Sequence, residues 1–263
     1  MITDNIKEKI KFSVISAVVA ISIFIAIFIV VRYQVEGEKN MPFNLGKIIV
    51  ISSASTSPVS KDETSAENVE VATDGTNQES YLWEENVIQT NDVYIYLDKN
   101  VNFEENEIIK NIRIENIQIL KNVNLGKIQV YMPNSLDGEL YKYTNDFLVN
   151  STLTYKGAST DNKKALEVGN QGGCICLSFA NMGVGVYKSN EDEVIEQGAF
   201  VLEKMGVTNE DLKFKVSFDL VIEVSDKAYK GTVTLDFPAG DVVGKKESHV
   251  EVTDFSNVVF KRY

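Results

Sequence analysis

The sequence predicts an all-β exported domain, an antiparallel two-sheet sandwich or jelly roll, behind one amino-terminal transmembrane helix. Three observations carry this. An uncharged run of twenty residues, Phe12 to Val31, contains only Ser13, Ser16 and Ser22 as polar side chains. From Tyr81 onward the apolar residues recur with a period of two rather than 3.6. Roughly ten such segments, separated by turn-forming residues, suit two packed sheets better than alternating strands and helices.

The apolar run comes first. At ~1.5 Å per residue its length matches a hydrocarbon layer ~30 Å thick. Ile21, Ile23, Ile25, Ile27 and Ile29 alternate as in a strand, but an isolated strand in lipid leaves its backbone groups unpaired, so a helix is expected. A cleaved signal peptide has an apolar region of ~7–15 residues and a small-residue cleavage site. This run is longer and ends Val30-Val31-Arg32-Tyr33, which predicts a signal-anchor helix over 12–32. Lys7, Lys9 and Lys11 precede it, while Glu36 and Glu38 outweigh Lys39 after it. The positive-inside rule therefore predicts a cytoplasmic tail at 1–11 and a plasma-membrane protein whose remainder is extracytoplasmic. Ser16 with Ala20, and Ser22 with Ala26, fit a small-xxx-small packing pattern that is common by chance in such spans.

The chain of 263 residues carries 38 acidic and 26 basic side chains, a net charge of −12. Setting aside Lys7, Lys9, Lys11 and Arg32 against Asp4 and Glu8 leaves 22 basic and 36 acidic, or −14, for residues 33–263. Nucleic-acid binding rests on Lys and Arg neutralising phosphates, so no nucleic-acid partner is expected. An acidic domain is also repelled by anionic headgroups and wall polymers.

A short stem at 33–43 leads into a domain at 44–263. Lys47–Ile51 reads as a first strand. Ser52 to Glu79 is Ser, Thr, Asn, Glu and Asp with Pro58 and no aromatic residue; too little apolar surface offsets its ordering entropy, which predicts a disordered polar loop over 52–80. It is either a linker or an inter-strand loop, and the loop is favoured because an unpaired Ile48–Ile51 is an edge hazard.

The clearest strand alternates Leu212, Phe214, Val216, Phe218, Leu220, Ile222 and Val224 with mostly polar neighbours. Ser225-Asp226-Lys227 turns it into a second run, Tyr229 to Phe237, ended by Pro238-Ala239-Gly240. Val93, Ile95 and Leu97 oppose Tyr94 and Tyr96. Ile112 and Ile114 change phase to Ile117 and Ile119 at Glu115-Asn116, predicting a bulge or a corner. Lys127–Tyr131, Phe147–Tyr155, Cys174–Phe179, His249–Val252 and Val258–Lys261 are further strand candidates. One helix is expected over Glu191–Met205, capped by Ser189 or Asn190 and stopped by Gly206, with Gly198 weakening it.

Reactive residues are few: Cys174, Cys176 and His249. Strand alternation places both thiols on one face, near the upper limit of bridgeable separation. With His249 they would number three soft ligands, the minimum for an open zinc site, but Gly-Gly-Cys-Ile-Cys-Leu-Ser-Phe reads as a buried core strand, so no metal and no cofactor is expected. The only His follows both cysteines, contrary to the order in sortases, and Met41-Pro42 follows Asn40 rather than the serine that signal peptidases place there. Carboxylate pairs for glycoside hydrolysis are available, such as Glu193 with Glu196 or Asp219 with Glu223, without a spacing that singles one out. Ser189–Glu193 and Thr144–Asp146 supply hard oxygens but lack the Asp-x-Asp-x-Asp-Gly order of a calcium loop. Trp83, Tyr94, Tyr96, Tyr131, Tyr141, Tyr143 and Tyr155 are available to stack on a ligand, with Trp83, Tyr94 and Tyr96 the candidate ligand-facing aromatics; the plain alternative is that they cover a second core face or form cross-strand pairs.

The apolar span followed by Met41-Pro42-Phe43, the segment Gln89-Thr90-Asn91-Asp92-Val93-Tyr94-Ile95-Tyr96, and Lys213-Phe214-Lys215-Val216-Ser217-Phe218-Asp219-Leu220 together resemble uncharacterised single-pass membrane-anchored proteins of low-GC Gram-positive bacteria. The resemblance implies a bacterial plasma membrane and brings no activity or site. The expected role is a non-enzymatic interaction or scaffolding module of the cell envelope with an envelope protein as partner. The alternative is a cell-wall or carbohydrate-binding module, with a carboxylate-dependent glycoside hydrolase as its enzymatic form.

Overall fold

Helix α1 (Ile2–Glu36) runs unbroken until Gly37, whose φ of +71° supplies the left-handed turn that commonly ends helices. The computed structural model describes residues 2–59, 83–101, 104, 107, 109–134, 140–156, 166–167, 172–189, 200–245 and 247–263. The segment Lys11–Glu36 is long and apolar enough to cross a membrane, and its apolar window is 0% buried. The expected stem at 33–43 is corrected: Tyr33–Glu36 belong to the helix because no breaker precedes Gly37, and Gly37–Pro42 is packed rather than extended. Glu38 N donates to Phe260 O (2.7 Å), Arg262 N donates to Tyr33 Oη (2.8 Å), and Met41 is buried. A Cβ at Gly37 would lie 2.3 Å from Phe260 O, so the junction needs glycine for space as well as for φ.

The strands are β1 (Phe43–Pro58), β2 (Trp83–Lys99), β3 (Ile109–Lys121), β4 (Lys127–Tyr131), β5 (Leu153–Lys156), β6 (Leu166–Glu167), β7 (Gly172–Ser189), β8 (Phe214–Val224), β9 (Lys227–Phe237), β10 (Glu247–Val252) and β11 (Lys261–Arg262). They form a five-stranded sheet, β10-β1-β2-β7-β4, and a six-stranded sheet, β11-β9-β8-β3-β5-β6. Only the β5–β6 pairing is parallel among those described.

The period of two sorts each strand into an inner and an outer face. Ile48 and Val50, Val93, Ile95 and Leu97, and Ile175, Leu177 and Phe179 line the inner face of the first sheet. Ile112 and Ile114, Phe214 to Ile222 at alternate positions, and Val233, Leu235 and Phe237 line that of the second. Rings from both sheets meet: Phe179 lies 5.2 Å from Phe237, and Phe214 stacks on Phe237 at 4.7 Å.

The structure departs from the sequence reading at several places. Ser52–Pro58, expected in a disordered loop, continue β1 and pair with β2 as far as Pro58↔Glu85. Composition misled because Ser52 is buried with its hydroxyl satisfied, donating to Asn91 Oδ1 (2.7 Å) and accepting from Ala239 N (2.8 Å). β1 and β2, which flank the rest of the polar segment, form an antiparallel pair; residues 60–82, where the remainder of the expected loop falls, lie outside the described residues. Leu212 ends a helical turn, α3 (Asn209–Leu212), rather than opening β8: Thr208 donates to Asp211 through both N (2.9 Å) and Oγ1 (2.6 Å), a capping arrangement hidden inside the alternation. The helix expected over Glu191–Met205 is represented by α2 (Val201–Lys204), followed by Gly206 at φ +73°. Phe200 is left-handed at φ +59°, so no helix runs through it, and residues 190–199 lie outside the described residues. Phe147–Tyr155 is a 3-10 turn (Asn145–Phe147) and then β5, and Val258–Lys261 yields only β11. The phase change in β3 is a bulge, with Asn116 at φ +51° and a register shift between Glu115 and Gln118; the strand stays in its sheet.

The outer face of the six-stranded sheet is an ionic ladder. Arg113 bonds to Glu115 (2.5 Å) and Glu223, Asn111 donates to Glu223 (2.6 Å), and Asp219 accepts from Thr232 (2.6 Å) and Asn116 (2.8 Å).

Candidate functional site

With Ile175, Leu177 and Phe179 turned inward, Cys174, Cys176 and Ser178 face outward on the five-stranded sheet. Register sets Tyr96 opposite Cys174, Tyr94 opposite Cys176 and Asp92 opposite Ser178. Lys47, Ile49 and Ile51 of β1 lie beyond, then Glu251 and His249 of β10. Lys47 Nζ sits 5.2 Å from the Tyr96 ring centre and 3.3 Å from Glu251.

On the β4 side, the segment after Tyr131 folds back over this face, held by Met132 N to Phe147 O (2.9 Å) and Val149 N to Val130 O (2.8 Å). It carries Tyr141 and Tyr143. Tyr143 meets Tyr131 edge-on at 5.2 Å and stacks with Tyr141 at 6.4 Å. Beside them, Ser178 Oγ donates to Asp92 Oδ1 (2.7 Å). Burial pushes the Asp92 carboxyl up to about 6, against the hydrogen bond from Ser178; the charge of Glu247 adds to the rise and a hydrogen bond from Tyr143 opposes it. Burial, then the charge of Asp92, pushes Tyr143 up to about 12. The Tyr141 hydroxyl is buried against the Cys176 thiol.

Of the aromatics expected to face a ligand, Tyr94 and Tyr96 lie half-buried on this outer face, neighbours along β2. Trp83 pairs through its backbone with Ser189, and its side chain lies outside the described residues. The reading of the cysteines as core residues is corrected: Cys174 is exposed and Cys176 half-buried, because the inward phase of β7 belongs to Ile175 and Leu177. Burial raises both thiols above their ordinary range, which leaves them protonated and weakly nucleophilic. His249 is three strands away, ~14 Å at ~4.8 Å per strand, so the three soft ligands are not brought together. Asp219 and Glu223 stand on the opposite sheet, ~13 Å apart along β8, beyond the ~6.5–9.5 Å an inverting glycosidase uses. Glu193 and Glu196 lie outside the described residues. Thr144, Asn145 and Asp146 are exposed around the 3-10 turn that buries Phe147.

Sequence reasoning missed Asp92 and Ser178. Asp92 shares the phase of Tyr94 and Tyr96, a signal that was available. Tyr141, Tyr143 and Tyr155 were among the aromatics available for stacking, but nothing in local pattern placed them beside Tyr94. β4 stops at Tyr131, opposite Ser178, and Tyr155 from the other sheet closes the edge beyond: its hydroxyl accepts from Cys176 N (2.9 Å) and donates to Cys176 O. Tyr155→Phe is expected to cost about 1–2 kcal/mol by leaving these buried groups unmatched, measured by denaturation of the detergent-solubilised chain.

No family model, curated protein or solved structure matches this chain. What the fold defines is an antiparallel two-sheet β domain behind an amino-terminal apolar helix. Its two outer faces differ in kind: one an ionic ladder, the other a surface of rings and apolar side chains around the raised Asp92 carboxyl, edged by the Lys47–Glu251 ion pair.

Proposed function

We propose that the chain is a single-pass protein of a bacterial plasma membrane, amino terminus cytoplasmic, whose extracytoplasmic β-sandwich is a non-enzymatic interaction or scaffolding module. The difference between the two outer faces supports this reading. The ionic ladder satisfies itself, whereas Ile49, Ile51, Tyr94, Tyr96 and Cys174 form a patch rich in rings and poor in charge, the composition that distinguishes interface centres. The hydrogen-bonded junction between α1 and the domain gives that face a set attitude to the anchor.

A second reading, a wall-glycan module, is favoured by one observation: Asp92, Tyr94 and Tyr143 combine a hydrogen-bonding carboxyl with rings on one surface. Protease shaving of intact cells is expected to digest the sandwich, and complete protection overturns the topology. Solubilised full-length chain is then offered to purified wall and to membrane extract. Capture of a discrete membrane protein, lost on Ile49→Lys, supports the scaffold. Retention on wall, competed by soluble glycans and lost on Tyr94→Ala, replaces it with the glycan module. Loss of neither interaction with these substitutions removes this face from both readings.

A further inference from the structure

Two cavities meet where α1 enters the sandwich. One, of 610 Å³, lies between the last helical turn and the base of the domain, lined by Val35, Met41, Phe43, Phe255, Val258 and Phe260 among others. The other, of 370 Å³, runs down the helix past Tyr33 and Arg32 to Ile29 and Phe28. Glu36, Glu38 and Lys39 line both, so the two adjoin at this turn.

Their height follows from the helix. The uncharged run ends at Val31, and Val35 stands ~6 Å further along the axis. The lower cavity therefore begins among apolar residues and the upper one opens where headgroups would lie. Val35, an apolar side chain, is 68% exposed among the described residues.

Charge at this level opposes that of the domain. Arg32 and Lys39 both bond to Glu36 (2.8 and 2.7 Å), Arg262 pairs with Glu38 (3.2 Å), and Lys261 reaches Gln34 (2.6 Å). The fold brings Lys261 and Arg262 more than 220 positions back to the helix, completing a collar of four cations and two carboxylates. Arg32 included, a local excess of +2 thus sits at the membrane end of residues 33–263, whose own net charge is −14.

We propose that this collar is a phospholipid site: an acyl chain lies along Phe28 and Ile29, the phosphate sits against Arg32 and Lys39, and the rest of the headgroup enters the cavity beside Phe43 and Phe255. The order of apolar, cationic and mixed surface along the groove matches the order of parts in the lipid. The site rests on the reading of α1 as a membrane span.

Full-length chain is reconstituted into phosphatidylcholine nanodiscs doped with phosphatidylethanolamine carrying a photoactivatable group on the headgroup or, separately, on the acyl chain. The headgroup probe is expected to label the 255–260 segment and the acyl probe to label 12–31. Lys39→Gln and Arg32→Gln are each expected to reduce headgroup labelling about fivefold, the upper range for losing one exposed ion pair, with acyl labelling unchanged. Acyl labelling with a silent 255–260 segment, or headgroup labelling indifferent to both variants, overturns the site and leaves the anchor standing. Absence of acyl labelling overturns the anchor itself. Headgroup labelling that persists in phosphate-free glycolipid discs, using a glycolipid probe, overturns the assignment to phosphate.

Discussion

Asn91→Ala is expected to lower the stability of the domain by about 3 kcal/mol, several unmatched buried groups at ~1–3 kcal/mol each being partly relieved by relaxation. Asn91 is fully buried on the inner face of β2, where an apolar residue would be expected. Its Oδ1 accepts from Ser52 Oγ (2.7 Å) and Gln89 Nε2 (2.9 Å), and its Nδ2 donates to Gln89 Oε1 (3.1 Å) and Phe179 O (3.1 Å). Removing the amide strands polar atoms of three residues at once, on β1, β2 and β7. At ~2–4 °C per kcal/mol for a domain of this size, the melting temperature should fall by roughly 10 °C. Gln89→Leu with Asn91→Leu, which removes both amides, should recover part of the loss, because an apolar pair leaves fewer unmatched groups than one orphaned partner. A loss below 1 kcal/mol for Asn91→Ala, by chemical denaturation, counts against the network as a structural element. The consequence reaches the surface: a one-residue slip of β2 would exchange its faces, so the network that ties Asn91 to both neighbouring strands also keeps Asp92 and Tyr94 outward.

The same residues show where sequence reading succeeds and where it stops. The phase of β8 and β9 was legible because Phe214 to Val224 and Tyr229 to Phe237 bury every second side chain, and the two-residue turn at Ser225-Asp226 has the expected polar composition. Ser52 to Pro58 was not legible, since hydroxyl burial depends on Asn91 and Ala239, far away in the chain. Thr208 and Asp211 mimicked strand alternation while capping a helical turn. The candidate site was half legible: Tyr94 and Tyr96 announce a face by their spacing, but Tyr141 and Tyr143 arrive from a segment with no periodic signal, and Tyr155, though in an expected strand, reaches Cys176 from the other sheet. The junction of Tyr33 with Arg262 is a contact between the two ends of the chain, which no local pattern contains.

Asp92→Asn is expected to stabilise the domain at pH 8 and to do far less at pH 4. The carboxyl titrates at about 6 in the folded protein against 3.8 for the ordinary group, chiefly because burial disfavours its charged form. Between those values the folded state binds the proton more tightly than the unfolded chain, so stability falls as pH rises through this window. Below it the penalty is absent; above about pH 6 it is fully present, at about 2 kcal/mol once relaxation is allowed for. Asparagine keeps an oxygen to accept the Ser178 hydrogen bond and carries no charge to desolvate, so the variant should melt roughly 4–8 °C higher than the parent at pH 8. Taking the difference between variant and parent across pH cancels the other carboxylates. A gain that is the same at pH 4 and pH 8 rules out charge as its cause, and a loss at pH 8 rules out the penalty altogether. Asp92 lies beside Tyr94 and Tyr143 on the face carrying the patch proposed for interaction, so a carboxylate that weakens the fold at neutral pH is there a candidate for binding. On the interaction reading, the more stable Asp92→Asn chain should therefore be the poorer binder in the capture experiment.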